Sequence, residues 1–125
     1  MIIGVGVDIL ETRRLRRAIE RTGERFLQRV YTTLEQEYCR GHRDPAPSLA
    51  ARFAAKEALF KALGTGWTGG VSWLDAEVRR APGRPPALTL SGKAGEIARQ
   101  LGVGSIHLSI SHSDDYAVAV VVLEK

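Results

Sequence analysis

Between Leu49 and Leu63 the chain runs without a glycine or proline and carries alanine at 50, 51, 54, 55, 58 and 62. This composition predicts a helix over 49–63, with Ser48 as its N-cap and Gly64 as its stop. At roughly 100° per residue, Leu49, Phe53, Leu59, Phe60 and Leu63 fall on one face, and the alanines cover most of the remainder. A helix apolar around most of its circumference has to be covered from several sides. The fold must therefore be built around it, and it carries more apolar surface than a chain of 125 residues readily covers as a monomer.

The rest of the chain supplies the covering layers. Residues 2–10 alternate and are β-branched, as in a strand ending near Glu11. Thr12 is placed to cap a helix carrying Leu15 and Ile19, which Gly23 breaks before Phe26, Leu27 and Val30 resume helical spacing. A short helix is expected over Thr33–Arg40, and a loop over Asp44–Ser48. Strands are expected over Ser72–Arg80, Ala87–Leu90, Ile106–Ser111 and Tyr116–Leu123, the last two joined by a hairpin-like turn at Ser113-Asp114-Asp115. Lys93–Leu101 reads as a helix closed by Gly102. Early helices and late strands joined by tight turns predict an α+β fold, an antiparallel sheet packed against a long central helix, in a single domain over 1–125.

No apolar run approaches the roughly 20 residues of a membrane span. The opening Met1-Ile2-Ile3-Gly4-Val5-Gly6-Val7-Asp8 lacks a basic leader region and reads as a strand. Cys39 is the only cysteine, which excludes an internal disulfide and a cysteine-based zinc site and points to the cytosol. The formal net charge is +4, and much of it is local. Arg13, Arg14, Arg16, Arg17, Arg21, Arg25 and Arg29 face only Glu20 and Glu24 over the same stretch. Arg14, Arg17 and Arg21 form one helical stripe. Such a field attracts a nucleic acid, an anionic lipid surface or an acidic protein, and composition does not choose among them.

Four features can carry chemistry. The alanine-rich helix bears Arg52, Lys56, Glu57 and Lys61, and charges on such a helix need partners. A Glu57–Lys61 pair at a solvent edge is the simplest account. Asp8 interrupts a run of Ile and Val. If it converges with Glu57, two hard oxygen ligands make a Mg²⁺ site, with Arg52, Lys56 and Lys61 suited to phosphate charge. Gly64-Thr65-Gly66 follows the helix end and is either a stop signal or a backbone loop that admits a diphosphate. It lacks a Walker lysine, and Gly4-Val5-Gly6 lacks the third glycine of a dinucleotide fingerprint. In Ser109-Ile110-Ser111-His112, neighbouring Ser and His point to opposite faces of a strand, which disfavours a catalytic dyad.

Taken together, Gly4-Val5-Gly6-Val7-Asp8-Ile9, Arg52-Phe53-Ala54-Ala55-Lys56-Glu57-Ala58, Lys61-Ala62-Leu63-Gly64-Thr65-Gly66, Gly70-Val71-Ser72-Trp73 and Leu108-Ser109-Ile110-Ser111-His112-Ser113 resemble the holo-acyl-carrier-protein synthase branch of the 4′-phosphopantetheinyl transferases. The resemblance implies that family's fold, a homotrimer with interfacial active sites, coenzyme A as donor and a serine of an acyl carrier protein as acceptor. It makes Asp8 and Glu57 the Mg²⁺ ligands, with Lys61 beside them in catalysis. It places Arg52, Lys56, Lys61, Gly64, Thr65, Gly66, Pro85 in the Gly83-Arg84-Pro85 turn, His107 and Ser109 against coenzyme A. It makes Arg13, Arg14, Arg17 and Arg21 the docking surface for an acidic carrier helix, with neither nucleic acid nor membrane as partner. Two rivals stand beside it: a nucleic-acid-binding domain using the arginine stripe, and a carrier-binding module without activity, which would not need Asp8, Glu57 and Lys61 together.

Overall fold

Strand β1 (Ile2–Glu11) leads directly into helix α1 (Thr12–Thr22), followed by α2 (Glu24–Val30), α3 (Thr33–Arg40) and the long α4 (Ala46–Leu63). A 3₁₀ turn (Trp73–Asp75) precedes β2 (Ala76–Arg79), then β3 (Ala87–Leu90), α5 (Gly92–Leu101), β4 (Ser105–His112) and β5 (Tyr116–Glu124). These elements come from a computed structural model that describes residues 1–66 and 68–125; Trp67, in the glycine-rich loop, lies outside the described residues. The fold is α+β. One antiparallel sheet has the order β1-β5-β4, and β2 and β3 form a separate antiparallel pair.

Helix α4 lies across the inner face of the larger sheet. That face is built from Gly4, Gly6, Asp8 and Leu10 of β1 and from Ala117, Ala119, Val121 and Leu123 of β5, which stand opposite them in register. The two β1 glycines are packing residues. A Cβ at Gly4 would overlap the carbonyl oxygen of Ala62, and one at Gly6 that of Ala58. Strand and helix backbones thus come closer than any side chain allows. Leu59, Val121 and Leu123 are fully buried in the core here, each contributing about 1.5–3 kcal/mol of transfer free energy.

Several element ends differ from expectation, each for a local reason. Helix α4 starts at Ala46 because Pro47 falls in its first turn, where a missing N–H is harmless, and Asp44 Oδ1 accepts from the Ala46 N–H at 3.2 Å. Ser48 is therefore not the cap; it is buried inside the helix. Thr12 is not a cap either. It is the first helical residue, its N–H donates to the Asp115 carbonyl at 2.8 Å, and its buried Oγ1 has no partner. The strand expected from Ser72 begins at Ala76, since Ser72 and Asp75 form a capping box around the 3₁₀ turn. Gly64 stops α4 in the left-handed conformation, at φ 79°.

The surplus apolar surface is not on the long helix. It is on the outer face of the sheet, where Val5, Val7 and Ile9 of β1 stand opposite Val122, Val120 and Val118 of β5. Val5 is 60% exposed and Ile9 66% exposed.

Candidate active site

Apart from Pro47, the residues of α4 that are not buried are Phe53, Glu57 and Lys61. Their spacing of four lines them up as one open seam along an otherwise covered helix. Asp8 meets this seam. It is the next inward residue of β1 after Gly6, so the close approach that the glycines permit delivers its carboxylate to the helix. Lys61 Nζ donates to Asp8 Oδ1 at 3.1 Å and to the Val7 carbonyl at 3.0 Å. The expected Glu57–Lys61 bridge is replaced by this cross-element pair.

Asp8 and Glu57 both line a cleft of about 280 Å³, together with Arg14, Phe26 and Phe53. Burial raises the Glu57 carboxyl above its ordinary pKa, the charge of Asp8 raises it further, and Lys61 offsets part of the rise. A divalent cation held between Glu57 and Asp8 would offset the charge that raises Glu57. Among the described residues no group of three or more His, Cys, Asp or Glu could hold a metal. Two carboxylates nevertheless fit Mg²⁺, which keeps several waters and takes its remaining ligands from substrate phosphates.

Lys56 and Arg52 lie elsewhere. Lys56 requires a correction, because its ammonium is fully buried and cannot face a phosphate at the surface. It donates to Glu35 Oε1 at 2.7 Å, to the Val30 carbonyl at 2.5 Å and to the Trp73 carbonyl at 3.2 Å. Arg52 is only 5% exposed. Its Nη1 donates to Ser48 Oγ at 2.8 Å, its Cζ sits 4.2 Å above the Tyr38 ring, and its Nε has no partner among the described residues. Among the described residues it has no carboxylate within ion-pair distance. It borders a cavity of about 460 Å³ lined also by Tyr38, Val78, Arg79 and Arg80. A guanidinium at the edge of a cavity with Arg79 and Arg80 is suited to an anion, although Glu37 lines the same cavity. The Gly83-Arg84-Pro85 turn, with Pro85 exposed, continues from the Arg79–Arg80 wall.

The remaining candidates divide. The N–H groups of Gly64, Thr65 and Gly66 bond back to carbonyls of Lys61 and Phe60, closing α4. Those amides are engaged at the helix end. His107 and Ser109 stand opposite Val122 and Val120, on the outer face of the sheet, away from Asp8. His107 Nε2 lies 3.0 Å from Glu124 Oε1. On α1, Arg13 pairs with Glu11, and Arg16 pairs with Asp44 through two contacts of 3.1 and 2.6 Å. Arg14, Arg17 and Arg21 are exposed and, among the described residues, have no ion-pair partner. Arg14 reaches the acid cleft, so the stripe runs into it.

Sequence reasoning did not single out Glu35, Tyr38 or the aromatic wall of the cleft. Phe26 and Phe53 stack with centroids 6.3 Å apart, and Phe53 lies 4.6 Å from Trp73. A signal for Glu35 was present: Thr32 followed three residues later by Glu35 is a capping box.

Residues 4–121 match the family model described as the 4′-phosphopantetheinyl transferase superfamily. The chain is 51% identical over 124 residues to the holo-[acyl-carrier-protein] synthase of Koribacter versatilis, covering 99% of each chain. It is 48% identical to that of Geotalea daltonii, covering all of both. Among solved structures, the Neisseria meningitidis holo-[acyl-carrier-protein] synthase aligns over 100% of both chains with a TM-score of 0.91 at 34% identity. The Helicobacter pylori enzyme in complex with coenzyme A aligns over 96% of this chain and 99% of that one, with a TM-score of 0.84 at 34% identity. The chain belongs to the 4′-phosphopantetheinyl transferase superfamily.

Proposed function

We propose that this superfamily member is a holo-[acyl-carrier-protein] synthase, transferring 4′-phosphopantetheine from coenzyme A to a serine of apo acyl carrier protein for fatty acid biosynthesis. The observation that carries the reading is the open seam of α4, where Asp8 and Glu57 line one cleft and Lys61 bonds to Asp8. The serine oxygen forms a bond to the β-phosphorus of coenzyme A, and the bond to the bridging oxygen breaks. 3′,5′-ADP leaves with that oxygen's electrons. Such a transfer needs positioning and neutralisation of oxygen charge more than covalent help. Asp8 and Glu57 would hold Mg²⁺, whose charge, when bound, polarises the diphosphate. Lys61 lies beside Asp8 and stabilises charge developing on the phosphoryl oxygens. Glu57, whose pKa burial raises, accepts the serine proton directly or through a water.

Coenzyme A has further phosphate charge to place, and Arg52, at the cavity it shares with Arg79 and Arg80, is the anchor this reading assigns to it. Pro85 belongs to the turn beyond the same cavity. The stripe Arg14–Arg17–Arg21 steers an acidic carrier helix so that its serine arrives at the cleft. Residues 1–125 would then serve as one catalytic domain, matched by the family model over 4–121. No described helix is long and apolar enough to cross a membrane. A single buried thiol suits a reducing cytosol.

The exposed valine face of the sheet supports assembly, in keeping with the homotrimer implied by resemblance. His107 and Ser109 share that face, so they can contribute to a site only across an interface with another copy. A stable, fully active monomer in sedimentation would remove the assembly. The activity itself is tested by incubating the protein with coenzyme A, Mg²⁺ and an apo carrier protein and weighing the carrier. A gain of one phosphopantetheine is expected. Unchanged carrier mass together with tight RNA or DNA binding would favour the nucleic-acid alternative.

A further inference from the structure

We infer that Lys56 is a positioning residue that, through Glu35, holds the wall of the Arg52 cavity at a fixed span from Glu57. The inference rests on the coenzyme A reading above. Lys56 is adjacent to Glu57 in sequence, yet about 100° further round α4 it is turned inward and fully buried. Its three ammonium donors meet three acceptors, from the end of α2 (Val30), the first turn of α3 (Glu35) and the 3₁₀ turn (Trp73). Glu35 is equally occupied. Oε1 also accepts from the Thr32 N–H at 3.0 Å, and Oε2 accepts from the Val78 N–H at 2.8 Å. The pair therefore ties four segments to one point on α4, with no hydrogen-bonding capacity left idle on the ammonium.

A buried ion pair is seldom the most stable filling for a core. Apolar residues of the same volume are often as good or better. What this pair adds is geometry. Val78, whose amide Glu35 fixes, lines the cavity that Arg52 borders. Trp73, whose carbonyl Lys56 fixes, packs 4.6 Å from Phe53, the first residue of the open seam. One buried cation thus sets where the anion cavity's wall and the aromatic floor of the seam stand relative to Glu57. A coenzyme that spans both places is bound well only when that separation is right.

The test is a double-mutant cycle on Lys56→Met and Glu35→Gln. It reads the KM for coenzyme A, the KM for the carrier and the melting temperature, in trimethylamine oxide to keep the variants folded. Each single exchange is expected to raise the coenzyme A KM by about tenfold, and the double by about the same factor, with the carrier KM within about twofold of the parent. A direct phosphate contact by Lys56 predicts otherwise: Glu35→Gln would leave the coenzyme A KM unchanged. A purely structural pair predicts a lowered melting temperature with an unchanged KM. Either result overturns the inference. If the single exchanges do not fold, the neutral Lys56→Met/Glu35→Gln protein carries the test, and a parental coenzyme A KM in it overturns the proposal. Loss of transfer in the parent protein would strike the coenzyme A reading instead.

Discussion

Lys56 and Glu57 are neighbours in the chain, one turned into the covered flank of α4 and the other into its open seam. On the covered flank Lys56 is fully matched: it meets Glu35 and two carbonyls, all out of solvent. In the seam the matching is incomplete. Glu57 has an elevated pKa, Asp8 repels it, and Lys61, which offsets part of that rise, is half exposed and bonded to Asp8. A satisfied buried network holds structure in place, whereas an unsatisfied group at a cleft is available to a ligand. The same helix thus carries a fixed side and a reactive side, about 100° apart per residue.

The contrast breaks first at the acids. Asp8→Ala and Glu57→Ala should each lower the transfer rate by on the order of 10²–10³-fold or more, as expected when a group stabilising transition-state charge is lost. The melting temperature should barely move, because neither exchange opens a core cavity. Rates near the parent in either variant would end the paired-ligand assignment. On the covered flank, Lys56→Met should lower stability in addition to raising the coenzyme A KM. It leaves the buried Glu35 carboxylate uncompensated, a loss of about 3–5 kcal/mol measured by denaturant unfolding. An unfolding free energy unchanged by this exchange would mean that the pair does not hold the fold.

The sequence carried one side of this contrast better than the other. The alanine-rich run, its glycine stop and the acid interrupting β1 are local signals, and they located α4, Gly64 and Asp8 directly. Burial of Lys56 was not a local property. On a helix wheel it is one more cation beside Glu57, and only the return of the chain with Glu35 and Trp73 decides that it is covered. Arg52 shares that difficulty: its setting depends on Tyr38 and on the β2 wall. The glycines of β1 illustrate a further limit. Their spacing resembles part of a phosphate-binding loop, yet their role is to let Ala58 and Ala62 approach. Likewise the outer valines of β1 and β5 were legible as strand residues, while their exposure depends on which face α4 occupies.

A smaller effect is expected on the arginine stripe. The Arg14→Ala/Arg17→Ala/Arg21→Ala protein should show a raised KM for the carrier and a nearly unchanged KM for coenzyme A. The difference should shrink as salt rises, since exposed charges are screened beyond about 8–10 Å at physiological ionic strength. An unchanged carrier KM at low salt would reject the docking role. Generic duplex binding with a steep salt slope would instead favour a nucleic acid.

The central claim is that the open seam is a cation-dependent transfer centre, and the pH dependence of transfer at low and at saturating Mg²⁺ tests it most directly. Burial, and then the charge of Asp8, raise the pKa of Glu57 in the metal-free protein. Its working form is the carboxylate, so activity at low Mg²⁺ should fall as pH drops through that raised value. Cation binding favours the ionised acids. Saturating Mg²⁺ should therefore move the acid limb to lower pH, and a chelator should abolish transfer at every pH. An acid limb that stays in place as Mg²⁺ is raised, or full turnover with the metal chelated, would contradict the account.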